Sequence, residues 1–284
     1  MTTPYAILTD TTLCTGCEEC VKACKNENDL TEDVPRRWKR HIDDLSSTRY
    51  TTIVRRPEHE KVHFVRQQCR HCLDPACVSA CLVGALQQPE DSKGQPIGPV
   101  IYDKDRCMGC RYCMMACPFG IPRYDWEKLV PEVRKCDMCY ARLFDDNGQL
   151  IEGMQPACVD ACPAGATIFG PRKALIDQAK GRIRDNPRKY HLDKVFGESE
   201  VGGTSVLYLS DISLDFLSFD QELQEEKLPD LTLAALSKVP PLAAGVAGVM
   251  AGAWWIIGRR MKLAEETRRE PLESVQSSEK NKEK

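Results

Sequence analysis

The chain has 284 residues, with 39 Lys and Arg against 42 Asp and Glu for a formal charge of −3, and 42% of its residues are hydrophobic. That balance argues against wholesale disorder and against a polytopic membrane protein, and without a basic excess a general nucleic-acid binder is not expected. Aromatic residues reach only 7%, thin for one large core, while cysteine is abundant at sixteen.

Residues 1–25 open with MTTPYAILTDTTLC, which has no basic n-region, apolar run or cleavage site, so no export signal is expected. They then carry Cys14, Cys17, Cys20 and Cys24 as C-x2-C-x2-C-x3-C. Residues 26–66 interrupt with a charged stretch, DVPRRWKRHIDD, and end in two strand-like runs, TTIVRR and KVHFVRQ. RPEHE between those runs reads as a turn, which predicts a hairpin. Cys69, Cys72, Cys77 and Cys81 follow as C-x2-C-x4-C-x3-C, and GPVIYDKD is a short strand leading to the next group. Cys107, Cys110, Cys113 and Cys117 repeat the first spacing, with Pro118 directly after. Cys136, Cys139, Cys158 and Cys162 form C-x2-C-x18-C-x3-C, split by LFDDNGQLIEGMQP, whose Asn-Gly marks a surface turn. Beyond them ATIF and SVLYLS read as strands. Between these, Pro171 starts a helix with Leu175, Ala179 and Ile183 on one face.

Four groups of four use every cysteine. A disulfide framework suits short secreted chains, and zinc suits isolated C-x2-C pairs rather than three or four cysteines in one loop. Three closely spaced thiolates on a tight loop can instead grip three irons of one cubane. The fourth, three residues on, begins a helical turn that faces away and serves the neighbouring cluster. The expectation is four [4Fe–4S] clusters. Lys25 and Leu82 stand where the motif often has proline, which shapes the loop exit and is no ligand.

Residues 239–258, VPPLAAGVAGVMAGAWWIIG, are 20 consecutive uncharged residues. At about 1.5 Å each they cross roughly 30 Å of hydrocarbon as a helix. Trp254 and Trp255 near one end, and Arg259, Arg260 and Lys262 beyond it, are the flanks of such a span. Ala244, Gly248 and Gly252 fall four apart on one face and would pack against another membrane helix. The predicted layout is a cluster domain over 1–233, an anchor helix over 234–260 and a charged, disordered tail over 261–284. The fold class is α+β, a duplicated bacterial-ferredoxin-like unit with insertions plus one C-terminal transmembrane helix.

The runs CRHCLDPACVSAC, YDKDRCMGCRYCMMACPFGIPRYD, RKCDMC, CPAGATIFG and GGTSVLYL resemble the four-cluster iron–sulfur subunits of membrane-bound respiratory oxidoreductases. Membrane formate dehydrogenase β subunits and the iron–sulfur subunits of uptake nickel–iron hydrogenases are the families it resembles most. The resemblance implies a non-catalytic relay. Electrons would pass from a catalytic subunit (a molybdenum or tungsten pterin enzyme, or a nickel–iron hydrogenase) to a quinone-reducing integral membrane subunit. It also implies the ligand sets: Cys14, Cys17, Cys20 and Cys162; Cys24, Cys136, Cys139 and Cys158; Cys69, Cys72, Cys77 and Cys117; and Cys81, Cys107, Cys110 and Cys113. A formate dehydrogenase is the favoured host, a hydrogenase or another molybdopterin oxidoreductase the alternative, and a free-standing polyferredoxin a reading of a different class.

Two basic residues, Lys227 and Lys238, precede the span within 20 residues, and five follow it. The positive-inside rule puts the tail in the cytoplasm and the cluster domain on the periplasmic face. His71, between two ligands, is expected to hydrogen-bond within its loop, and His41, His59, His63 and His191 to be surface or hairpin residues. Arg70, Arg106, Arg111 and Lys135 flank cysteines, either as a solvated face or as cations offsetting the clusters' charge. No serine–histidine–acid set, P-loop or G-x-G-x-x-G occurs, so no bond chemistry of its own is expected.

Overall fold

The computed structural model describes residues 4–31, 45–58, 61–126, 132–219 and 225–280. The chain forms two compact units, Met1–Pro229 and Asp230–Lys284. In order, the first contains strand β1 (Tyr5–Asp10), helix α1 (Glu19–Glu27), strands β2 (Thr52–Glu58) and β3 (Lys61–Gln67), helix α2 (Ala76–Ser79), and strands β4 (Leu86–Gln87) and β5 (Ile101–Tyr102). Helix α3 (Tyr112–Ala116), strands β6 (Arg123–Tyr124) and β7 (Val133–Arg134), and helices α4 (Tyr140–Leu143) and α5 (Ala157–Asp160) come next. Strand β8 (Thr167–Pro171), helix α6 (Arg172–Asp185) and strand β9 (Val206–Leu209) complete the cysteine-bearing part, and helices α7 (Leu228–Leu236) and α8 (Val239–Lys280) follow.

β1 is the centre of a three-stranded sheet, antiparallel to β8 and parallel to β9. Its alternation sorts two cores. Ala6 and Leu8 join Leu175, Ile176 and Ala179 of α6 with Leu207 and Leu209 of β9. Ile7, Val206 and Tyr208 face the other way, into the core that contains Cys24, Cys69, Cys136 and Cys158. Because both faces of β9 are covered, its sequence VLYL is apolar throughout rather than alternating. The strand expected at GPVIYDKD is β5, which pairs with β4, and the turn expected at Asn147-Gly148 is present, with Asp145 Oδ1 accepting from Asn147 N at 3.0 Å.

The hairpin over TTIVRR and KVHFVRQ forms in antiparallel register from Thr52↔Gln67 to Glu58↔Lys61. Its first strand runs further than expected: Pro57 and Glu58, read as part of the turn, belong to β2, and His59 and Glu60 lie outside the described residues. Pro57 is tolerated because this sheet has only two strands, so each keeps a free edge. Residues 32–44, with most of the charged insertion and His41, also lie outside them.

In the second unit α8 begins at Val239, with Pro240 and Pro241 in its first turn, where the missing N–H groups cost nothing. The stretch Leu228–Glu265 is long and apolar enough to cross a membrane by length and composition, and none of its apolar window is buried. α8 continues to Lys280, over much of the stretch expected as a disordered tail. An established helix propagates cheaply, and Met261–Glu265 supplies strong helix formers.

Candidate metal centres

The cysteine groups sit on two repeated devices. In the first, Asp10 accepts from Thr12 N at 3.1 Å and starts a tight turn, Thr11–Leu13, that delivers Cys14. Asp103 does the same with Asp105 N at 3.0 Å, and Lys104–Arg106 delivers Cys107. Gly16 and Gly109 then share φ 72°, and Glu18 and Arg111 share left-handed values of 62° and 64° before α1 and α3 begin. Alternating left-handed residues turn successive N–H groups inward, a concavity suited to anionic sulfur. In the second device, Pro75-Ala-Cys-Val and Pro156-Ala-Cys-Val start the four-residue helices α2 and α5. α1 packs on α5 and α2 on α3, which brings groups one and four together and groups two and three together.

All sixteen cysteines are free thiols. Burial raises the Cys14 thiol, and Cys162 and Cys17 add to the shift, while a backbone bond to Gly16 opposes it. Burial raises Cys20 to about 11; Arg66 opposes, and Cys158, Cys14 and Cys162 reinforce. Cys24 is pushed up by burial and then by Cys158 and Cys139. Burial lifts Cys72 with help from Cys69, Cys117 and Cys77, and it lifts Cys113 to about 11 with Cys107, Cys110 and Cys81. Like charges crowd one another here, so uncompensated thiolates would be costly. Among the described residues no three His, Cys, Asp or Glu side chains converge on one ion's position, as a tetrahedral zinc at about 2.3 Å would require.

The surroundings supply donors and positive charge. Ala85 N and Leu86 N point at Cys81 Sγ at 3.2 and 3.5 Å, Ile121 N at Cys117 Sγ at 3.5 Å, and Met138 N at Cys136 Sγ at 3.3 Å. Arg70 and Lys135 are buried, so the solvated-face reading is wrong for both. Arg70 bonds the Tyr208 hydroxyl and Gln68 O, and lies 5.6 Å from the Phe119 ring. Lys135 donates to Val100 O and, at 2.9 Å, to Cys136 O. Arg106 pairs with Asp103 at the surface, and Arg111 stacks over Tyr124 and Trp126. His71 is buried and accepts from Val100 N through Nδ1 at 2.9 Å, a loop hydrogen bond as expected. His63 faces Asp211 at 3.1 Å, and His191 stacks on Phe196.

The GGTSV segment straps group two in place. Leu73 N donates to Gly203 O, Ser205 N to His71 O, and Val206 N to Arg70 O, at 2.9, 2.8 and 3.0 Å. Gly203 has φ 96°, and a Cβ there would stand 2.8 Å from Arg172 Nη2, so only glycine fits. One residue the sequence reading missed is Arg66 of β3, which directly follows the buried Val65, so strand alternation gave no signal for it. It is 1% exposed, lines a cavity with Cys14, Cys17, Cys20 and Cys162, and among the described residues has no hydrogen-bond partner on any guanidinium nitrogen. Sixteen clustered thiols, inward N–H groups and an unpartnered buried cation are what anionic iron–sulfur groups need from a protein.

Comparison with known proteins agrees. Two models described as 4Fe-4S dicluster domain match residues 6–82 and 60–172. A protein of Nitratidesulfovibrio vulgaris is 39% identical over 95% of this chain and 71% of its own length. Hydrogenase-2 operon protein HybA of Escherichia coli O157:H7 is 35% identical over 82% and 76%. The B subunit of the anaerobic dimethyl sulfoxide reductase of Escherichia coli K12 is 39% identical over 65% and 80%. With two dicluster domains and relatives of this kind over most of its length, the chain belongs to the iron–sulfur β-subunit family of respiratory oxidoreductases, whose members transfer electrons and are not the catalytic subunits.

Proposed function

We propose that this chain carries four [4Fe–4S] clusters and relays electrons between a catalytic subunit and a quinone-reducing membrane subunit. The proposed ligand sets are Cys14, Cys17, Cys20 and Cys162; Cys24, Cys136, Cys139 and Cys158; Cys69, Cys72, Cys77 and Cys117; and Cys81, Cys107, Cys110 and Cys113. Such groups supply one-electron uptake and release when bound. The carrying observation is continuity among the thiols. Cys20 lies near Cys158, Cys136 near Cys69, and Cys77 near Cys113, so each proposed set neighbours the next. That gives a single row with one set at each end. The protein's own part is to hold the sulfurs, exclude water through the core around Cys24, Cys69, Cys136 and Cys158, and offset negative charge with Arg66, Arg70 and Lys135.

The α+β reading and the placement of α8 as a membrane anchor belong to the same proposal. For the host we take a membrane-bound hydrogenase, on the likeness to HybA over 82% of the chain. A formate dehydrogenase, the host favoured from the sequence, is the second candidate. Anaerobic purification from native membranes tests this. The chain should co-purify with a catalytic and an integral membrane subunit, and its visible absorption should bleach under hydrogen. Bleaching under formate alone would give the host as a formate dehydrogenase. Recovery as a single soluble chain would favour a free-standing polyferredoxin and overturn the relay within a complex.

A further inference from the structure

Arg66 is the exception among the buried cations. Arg70 and Lys135 find carbonyl or hydroxyl partners, and even the half-buried Arg172 donates to Thr204 O, Gly197 O and Glu198 O at 2.8, 3.0 and 2.7 Å. Arg66 finds none among the described residues, although its backbone carbonyl is held by the Tyr208 hydroxyl at 2.9 Å. It lines a cavity with Cys14, Cys17, Cys20 and Cys162, and Cys158, Cys136 and Tyr208 are also its neighbours. An unpaired buried guanidinium is strongly destabilising, so the fold keeps it only against a matching anion. Its fork of five donors serves several acceptors at once, where a lysine serves fewer and bonds as a point charge.

We infer that Arg66 is a positioning residue that sets redox potential, its guanidinium lying between the sulfur sets of Cys14, Cys17, Cys20 and Cys162 and of Cys24, Cys136, Cys139 and Cys158. This rests on the cluster assignment proposed above. Uptake of one electron takes such a tetrathiolate centre from about −2 to about −3, with the electron supplied by the catalytic subunit of the complex. A fixed positive charge favours the more negative state, so Arg66 raises the potentials of these two centres. Lys135 and Arg70 lie near Cys77 and Cys117 of a third set, and Arg66 leaves the midpoints of the remaining two centres unchanged.

The test uses the intact complex, with iron analysis and potentiometric titration followed by electron paramagnetic resonance, dithionite being the reductant. Signals are assigned with Cys20→Ser and Cys158→Ser. Arg66→Gln should keep the wild-type iron content and lower the midpoints of the two assigned centres by at least a tenfold change in the reduction equilibrium, about 59 mV. The remaining two midpoints are the internal standard. Unchanged midpoints at full iron content, or an equal shift of all four, overturn the inference. If Arg66→Gln loses iron, Arg66→Lys must restore loading where Arg66→Met does not; failure of that rescue also overturns it. Wild-type complex with half the expected iron would instead overturn the cluster assignment itself.

Discussion

The loop carrying Cys14 needs Gly16 twice over. Its φ is +72°, and a Cβ there would lie 2.3 Å from the Phe64 ring, so the loop presses on the β2–β3 hairpin. Gly16→Ala should cost about 1–3 kcal/mol in backbone strain alone and bleach the cluster absorption at a lower temperature on heating; an unchanged bleaching temperature would mean that the close approach does not occur in solution. The crossed use of fourth cysteines makes a sharper prediction. Cys81 accepts from Ala85 N and lies near Cys113, far from it in sequence. Cys81→Ala should therefore alter the resonance of the centre of Cys107, Cys110 and Cys113. Damage confined to the centre of Cys69, Cys72 and Cys77 would reverse the assignment. The cysteines were legible because their spacing is local. Arg66 was not, since a strand arginine reads as solvent-facing until the hairpin is seen covering the thiols.

At the scale of elements, the hairpin, β5, β8, β9 and α6 were legible from alternation, helical spacing and Pro171. β1 was not read as a strand, although it is the middle of the main sheet. Its run Tyr5–Asp10 is six residues, apolar at consecutive positions because the two cores meet across it, and its partners β8 and β9 lie more than 150 residues away. Only tertiary pairing reveals it. For α8 the sequence gives a testable face. A Cβ added at Gly248 or Gly252 meets nothing within 4 Å among the described residues, so with Ala244 they are open to a second helix. Gly248→Leu should weaken co-purification with the membrane subunit while iron per chain stays constant; unchanged co-purification would return the glycines to simple membrane-helix composition.

For the whole molecule, charge asymmetry around the apolar stretch is the basis for an orientation. Lys227 and Lys238 precede it, and Arg259, Arg260, Lys262, Arg268 and Arg269 follow. The basic side is expected to stay in the cytoplasm, with the cysteine-bearing unit on the periplasmic side. Protease added to intact spheroplasts should degrade that unit, and full protection would reverse the topology. Four clusters on sixteen thiols is in the end a matter of stoichiometry. Iron and acid-labile sulfide should be determined on the anaerobically purified complex and normalised to this chain after subtracting its partners' content. About 16 of each are predicted, four per cubane. A value near 8, or zinc in stoichiometric amount, would contradict the four-cluster relay.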